Sequence, residues 1–191
     1  MTEVPPVQPV HAAAAPAVAV AASPAPVARL SLRPLALGEL ADLAASRIPA
    51  GMVGRVQPGA LPPAFVAQRA LDRIGQGASE FWCATFLIVR DDGEIVGGCG
   101  FKGEPAKGRV EIAYGIAPAH RRQGAAAAAV QALLDLAFSN GVREVFAEIL
   151  PENAASIAVV RKLGFRLDCT RVDEDGDVVG MYSFAPPVER Y

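Results

Sequence analysis

The residues with the clearest chemical potential lie in a short turn between a strand and a helix. The turn consists of six residues, Arg121, Arg122, Gln123, Gly124, Ala125 and Ala126. Free backbone N–H groups and the positive end of the helix dipole favour an anion at such a helix start. The glycine permits close approach of a ligand, and the two arginines add positive charge. The turn therefore predicts a pyrophosphate site, with an ordinary solvated turn as the alternative.

The elements that position this turn follow from hydrophobic periodicity and turn residues. A strand from 109 to 117 precedes the turn and a helix from 125 to 140 follows it, ended by Asn140-Gly141. Other expected elements are a strand at 30–35, helices at 38–46, 65–74 and 154–163, a strand at 144–150, a hairpin of 85–90 with 94–101, and two strands flanking 173–177. In the helix at 65–74, the expected apolar side is formed by Phe65, Leu71 and Ile74. This order of elements predicts a domain of mixed α/β class (α+β), in which a mixed sheet has helices on both faces.

The first 28 residues differ from the rest of the chain. Residues 1–28 are almost entirely Ala, Pro and Val, so we expect a disordered tail, followed by one domain at 29–191. The apolar run at 12–22 resembles part of an export signal. Glu3, the scattered prolines and the lack of Lys or Arg before the run argue against export. The sequence contains no run of the roughly 18 to 20 strongly apolar residues that a membrane span needs, so no membrane association is expected.

Composition agrees with a single soluble domain. The chain has 191 residues, 52% of them hydrophobic, and a net charge of −2, which gives no indication of nucleic-acid binding. Cys83, Cys99 and Cys169 are odd in number and widely spaced, which favours reduced thiols in the cytoplasm. The acidic run at 173–177 lacks the spacing of a calcium loop, so we expect a solvated turn there and no metal ion.

Four motifs between Val110 and Phe165 together resemble those of the GCN5-related N-acetyltransferases, the GNAT superfamily. R-R-Q-G-A-A at 121–126 resembles the acyl-CoA loop [R/Q]-x-x-G-x-[G/A], and E-I-A-Y-G-I-A-P resembles the strand before it. L-P-E-N-A-A-S-I and R-K-L-G-F resemble the next motif and its closing signature. The resemblance covers roughly residues 29–185 and is strongest to the branch of ribosomal-protein N-terminal acetyltransferases. It implies a central, mostly antiparallel sheet with splayed central strands and helices on both faces.

The resemblance implies acetyl-CoA as co-substrate, with its pyrophosphate on the turn and its pantetheine arm between the strands that end at Ala117 and Leu150. Ile116, Ala117 and the turn residues are then contacts, mostly through the backbone. Asn153 matches a family asparagine that hydrogen-bonds the cofactor, and Ser156 lies one helical turn beyond it. The alternative for Asn153 is an N-cap of the helix that begins at 154, and the two roles are compatible.

The implied reaction is direct attack of a primary amine on the acetyl thioester in a ternary complex, which needs a proton acceptor. Glu111 matches a proposed family base, and strand alternation places it opposite Val110, Ile112 and Tyr114. A partly exposed glutamate or a contact to a cationic substrate is the alternative. Glu148 on the neighbouring strand is the second candidate, also directed away from the apolar face. The implied acceptor is a small-molecule amine or a protein N-terminus, and the protein is expected to be a monomer or homodimer.

The chain departs from the resemblance at one catalytic position. Many relatives carry a tyrosine seven residues after the asparagine, where it protonates the leaving thiolate, and this chain has Val160 there. Ser156 or Tyr182 is a possible replacement. The departure keeps a second hypothesis open: a non-catalytic acyl-CoA-binding or regulatory protein of the same fold.

Phe81 and Trp82 are candidate acceptor-pocket residues, although aromatic residues beside a strand are more often core.

Overall fold

The computed structural model describes residues 30–173 and 175–187. These residues form seven strands, five α-helices and two short 3-10 helices. The strands are β1 (Leu30–Pro34), β2 (Thr85–Arg90), β3 (Ile95–Phe101), β4 (Arg109–Ile116), β5 (Glu144–Ile149), β6 (Arg166–Val172) and β7 (Val178–Phe184). The helices are α1 (Leu37–Ala44), α2 (Ala64–Gly75), α3 (Glu80–Cys83), α4 (Ala125–Ser139) and α5 (Ala154–Lys162). The expected tail at 1–28 lies outside the described residues.

The strands form one sheet in the order β1-β2-β3-β4-β5-β7-β6. All neighbouring pairs are antiparallel except β4 and β5, which are parallel. The pairing of β4 with β5 extends only from Arg109 opposite Glu144 to Glu111 opposite Phe146. Beyond these residues the two strands diverge. The expectation of a mostly antiparallel sheet with splayed central strands is confirmed.

Apolar side chains cover both faces of the sheet, as the sequence predicted. One core cluster includes Leu133 and Leu134 of α4 together with Val110 and Ile112 of β4. The opposite cluster includes Leu40 of α1, packed with residues of α2, β2 and β3. Because β4 side chains alternate between faces, each residue beside Val110 and Ile112 in sequence is directed towards the α2 face. No helix in the described residues is long and apolar enough to cross a membrane.

Two local expectations have different outcomes. The hairpin of β2 and β3 is confirmed, and its turn contains Gly93 with φ of +85°, a conformation that favours glycine. The predicted inward position of Phe65 is wrong, because this residue is 62% exposed. Leu71 and Ile74 pack on the core cluster as predicted, together with the buried Ala67 and Ala70. Helix α2 therefore packs in the same cluster as α1, and the exposed Phe65 lines a cleft.

Candidate active site

The loop between β4 and α4 presents unpaired backbone donors. Gly124 is the N-cap of α4 with φ of +85°, and a Cβ built on it would meet no atom within 4 Å. Within the described part of the chain, the backbone N–H groups from 122 to 127 have no hydrogen-bond acceptor. These donors, the open space at Gly124 and the positive end of α4 together form a surface suited to an anion. The geometry is that of the predicted phosphate turn.

Side chains of the loop brace it against the preceding strand. Arg121 donates from Nε to the carbonyl oxygen of Ile116 at 3.1 Å, and Gln123 donates from Nε2 to the carbonyl oxygen of Ala119 at 3.2 Å. Arg122 adopts φ of +62° and is exposed. Arg121 therefore fixes the position of the loop relative to the end of β4, and Arg122 presents its charge to solvent.

A cleft of about 640 Å³ lies between α2, the loop at 59–63 and the sheet. Its floor consists of small residues on β3 and β4, namely Gly98, Gly100, Ala113 and Gly115. Gly98 pairs with Gly115, and Gly100 pairs with Ala113, so these four positions are neighbours on the same face. The cleft exists because they carry no bulky side chain. The sequence carries one signal for this floor, since glycines within a strand often mark a site where a ligand or another backbone approaches closely.

Both candidate carboxylates lie at the same end of this cleft. Glu111 is 16% exposed and forms an ion pair with Lys102 at 2.5 Å. Glu148 is 7% exposed and accepts a hydrogen bond from Nε of Arg171 at 2.6 Å. The prediction that both residues face away from the α4 core is confirmed. Each glutamate has a cationic partner that is itself partly exposed at the mouth of the cleft.

Burial raises the pKa of Glu111 above its ordinary value of 4.5. The hydrogen bond and charge of Lys102 lower this pKa, the neighbouring Glu148 raises it, and Arg171 lowers it, with a net increase. A carboxylate whose pKa lies nearer to neutrality is a better proton acceptor at physiological pH. The electrostatics of the site therefore favour Glu111 as a base.

Cysteine chemistry is disfavoured in the same cleft. Cys83 and Cys99 line it as free thiols. Burial raises the pKa of both, that of Cys99 to about 12. A protonated thiol is a poor nucleophile. The two thiols that line the cleft are therefore not activated. Within residues 30–173 and 175–187, no group of three or more His, Cys, Asp or Glu side chains is placed to hold a metal ion.

The start of α5 forms the other end of the cleft, where β4 and β5 diverge. Asn153 accepts a hydrogen bond from the backbone N–H of Ser156 at 3.1 Å, so it is an N-cap of α5. Both residues also line the cleft. The hydroxyl of Tyr114 donates to the carbonyl oxygen of Ser156 at 3.1 Å. Sequence analysis did not assign Tyr114 a role, because only the fold brings it to α5.

The positions considered for a proton donor are not equivalent. Val160 is 0% exposed and belongs to the core under α4 and α5. Tyr182 is buried and lies outside the lining of the cleft, whereas Ser156 lines it. Phe81 and Trp82 are half-buried, pack on each other with ring centroids 4.8 Å apart and on the core, and do not line the cleft.

The structure divides the predicted site residues into two groups. Glu111, Glu148, Asn153 and Ser156 meet around the cleft. The residues at 116–117 and 121–126 do not line it, and lie beyond the end of its floor along β4. Glu111 and Ile116 are five residues apart on the strand, which corresponds to roughly 17 Å. A ligand that used both regions would have to be long and extended along the gap between β4 and β5.

Comparison with known proteins identifies the family to which this fold and site belong. The family model described as Acetyltransferase (GNAT) domain matches residues 29–166, which is more than half of the chain. The Bacillus licheniformis protein "Uncharacterized N-acetyltransferase p20" is 32% identical over 104 residues, which cover 52% of this chain and 58% of the relative. "Uncharacterized N-acetyltransferase YjdG" of Bacillus subtilis strain 168 is 37% identical over 84 residues, covering 43% and 50%. The chain thus spans about half the length of these curated relatives.

Solved structures share the fold. The crystal structure of a probable acetyltransferase (GNAT family) from Chromobacterium violaceum is 26% identical, with a TM-score of 0.57, and the match covers 93% of this chain and 97% of that one. RimJ of Mycobacterium smegmatis, in complex with CoA-disulfide, has a TM-score of 0.60 and 20% identity, with 84% of each chain covered. The second similarity is one of fold alone.

Proposed function

Because the chain belongs to the acetyltransferase (GNAT) family, we propose that it transfers the acetyl group of acetyl-CoA to a primary amine. The observation that carries the proposal is the pair of regions along β4. Unpaired backbone donors lie at one end, and a cleft with a buried carboxylate of raised pKa lies at the other. One region suits a pyrophosphate and the other suits the reacting amine.

In this proposal, the pyrophosphate of acetyl-CoA binds the backbone N–H groups from 122 to 127. The pantetheine arm extends through the gap between β4 and β5, and backbone groups at 115–117 are its contacts. Asn153 contacts the arm through its side-chain amide while its oxygen caps α5. The thioester then lies near Tyr114 and Ser156, within reach of an acceptor that enters from the mouth of the cleft.

The acceptor amine is protonated in solution and must lose a proton before it attacks. Glu111 accepts this proton, directly or through a water molecule, with Glu148 as the second candidate. The amine nitrogen then forms a bond to the acetyl carbon, and the C–S bond breaks to release the thiolate of CoA. The nitrogen loses its second proton to this thiolate or to solvent, which leaves a neutral amide and free CoA. A thiolate with a thiol-like pKa leaves without an obligatory acid, so Val160 at the usual tyrosine position is compatible with turnover.

The first test is release of CoA in the presence of acetyl-CoA and a panel of primary amines, including peptides with free N-termini and small diamines. We expect release that depends on the amine, with the acetylated product identified by mass spectrometry. Glu144→Gln is the matched control for Glu111→Gln, since Glu144 is also a strand glutamate paired with a cation, Arg109. Loss of release in Glu111→Gln alone supports the proposed base.

A second candidate function is acyl-CoA binding without catalysis. Burial of Val160 in the core favours it, because the proton donor of many relatives has no counterpart at this position. This candidate predicts tight acetyl-CoA binding with no acetylated product from any amine at any pH.

The free thiols among the described residues suit a reducing compartment, and we propose the cytoplasm as the site of action.

A further inference from the structure

Two arginines of α2 carry charge that the described residues do not neutralise. Arg69 and Arg73 are four residues apart and therefore share a face of the helix. Both line the 640 Å³ cleft, and both also line an adjoining cleft of about 590 Å³ that shares Glu111 and Glu148 with it. In residues 30–173 and 175–187, neither guanidinium forms an ion pair with a carboxylate.

The positions of these two side chains are defined by packing. The guanidinium of Arg69 lies 6.0 Å from the ring centroid of Phe65. A Cβ built on Gly103 would lie 2.5 Å from Nη1 of Arg73, so this guanidinium rests directly on the turn between β3 and β4. Glycine at 103 thus leaves room for the charge at the mouth of the cleft. Arg73 is half-buried and Arg69 is exposed.

Several other charged residues that line the two clefts have partners. Lys102 pairs with Glu111, and Arg171 pairs with Glu148. Glu104 accepts a hydrogen bond from the backbone of Ser79. Asp173 accepts hydrogen bonds from the backbone N–H groups of residues 175 and 177, within its own turn. An acceptor that enters the cleft therefore meets free guanidinium groups on the α2 side and the proposed base on the sheet side.

We propose that Arg69 and Arg73, the arginine subsite, bind a carboxylate carried by the acceptor while its amine lies at Glu111. The guanidinium fork matches a carboxylate in geometry and charge. A singly charged group is favoured over a dianionic phosphate, because Glu111, Glu148 and Asp175 line the same cleft and repel added negative charge. This inference rests on the proposed acetyltransferase function and specifies its substrate class.

The test compares acceptors that differ in one charge. The peptides Ala-Glu-Ala-amide, Ala-Gln-Ala-amide and Ala-Lys-Ala-amide share a free N-terminus, and γ-aminobutyrate with its amide forms the small-molecule pair. We expect kcat/KM for the carboxylate member of at least one pair to exceed that of its amide about tenfold, mainly through KM. A preference seen among the peptides identifies a peptide side chain as the source of the carboxylate, and a preference seen in the γ-aminobutyrate pair identifies a small amino acid. The preference should weaken in about 0.5 M salt.

Variants assign the preference to the subsite. Arg73→Gln should reduce the carboxylate preference to about twofold or less, and Arg69→Gln should reduce it less because Arg69 is more exposed. Arg73→Lys retains the charge without the fork and should be intermediate. Arg47→Gln is the control: Arg47 pairs with Asp42 on α1 and lines neither cleft. It should retain the full preference.

Several results would overturn the inference. Equal kcat/KM for carboxylate and amide acceptors, or preference for the lysine peptide, excludes the subsite while amine acetylation stands. A carboxylate preference that survives both Arg73→Gln and Arg69→Gln places the selecting group elsewhere. Absence of acetylation with every charged and neutral acceptor contradicts the proposed function itself, and the subsite with it.

Discussion

The loop at 121–126 and the cleft around Glu111 lie at opposite ends of β4, and they use different parts of the chain. The loop is one contiguous segment whose functional groups are backbone N–H donors at the start of α4. The cleft is assembled from α2, β3, β4, β5 and the start of α5, and its functional groups are side chains. In the proposed function, acetyl-CoA therefore binds backbone groups of the loop, and the acceptor amine contacts side chains of the cleft.

Because of this difference, the loop and the cleft should respond differently to amino-acid substitutions. Backbone donors persist when most side chains change, so the loop depends chiefly on conformation and free space at Gly124. The cleft depends on charge and volume at individual positions, such as the carboxylate of Glu111 and the small side chain of Ala113. Substitutions in the cleft should therefore change turnover and acceptor choice while acetyl-CoA binding persists.

The largest effect on turnover is expected for Glu111→Gln. Removal of a general base typically costs 10² to 10⁴ in rate, and we expect kcat to fall about 10²-fold with little change in the Kd for acetyl-CoA. Because the pKa of Glu111 is raised from 4.5, wild-type kcat/KM should increase with pH as this carboxyl loses its proton, with a midpoint above 4.5. Steady-state rates across pH measure this rising limb of the pH profile, and Glu111→Gln should abolish it.

Glu148→Gln distinguishes the two glutamates. An unchanged pH limb in Glu111→Gln, together with its loss in Glu148→Gln, would assign the base to Glu148. Retention of the limb in both variants would remove both carboxylates from the proton-transfer step.

A smaller effect is expected from filling the cleft at Ala113. This residue is exposed on the floor beside Gly100, so Ala113→Leu adds volume to the cleft without disturbing the core. We expect kcat/KM for the acceptor to fall about tenfold, a loss near 1.4 kcal/mol of transition-state binding. Initial rates at saturating acetyl-CoA measure it. A drop in acetyl-CoA affinity of the same size would show that the two regions are not separable.

The smallest effect is expected for Tyr114→Phe. This change removes the 3.1 Å hydrogen bond to the carbonyl oxygen of Ser156 and should cost about 1 kcal/mol of stability, or roughly 2–4 °C in Tm. Because the bond holds the start of α5, kcat should also fall about threefold. Tyr182→Phe is the matched control, since Tyr182 does not line the cleft, and it should retain full activity. Thermal unfolding and steady-state rates provide both readouts.

The comparison also explains what the sequence could predict. The turn and Gly124 were found because a local feature carries its own signal: a strand, a glycine and a helix start occur within a few residues. Strand alternation predicted the faces of Glu111 and Glu148, and the capping preference of Asn predicted the N-cap at Asn153. These inferences need no knowledge of distant contacts.

The rest of the site depends on contacts between distant segments. Lys102 lies nine residues from Glu111 in sequence, Arg171 pairs with Glu148 across 23 residues, and Tyr114 reaches Ser156 across 42. Phe65 is apolar and is predicted to face inward, yet it is exposed, whereas Leu71 and Ile74 of the same helix pack on the core. Periodicity does not reveal how far along a helix its apolar side is covered, so the position of Phe65 required the fold.

The central claim is that the backbone of the loop binds acetyl-CoA, and calorimetric titration of Gly124→Val beside Gly141→Val tests it most directly. Both glycines have positive φ, +85° and +79°, at opposite ends of α4, and an added Cβ meets no atom within 4 Å at either, so backbone strain is matched. We expect micromolar binding by the wild type and Gly141→Val, and at least about 30-fold weaker binding by Gly124→Val as its side chain occupies the anion site. Equal affinity in all three proteins would contradict a cofactor site on this loop.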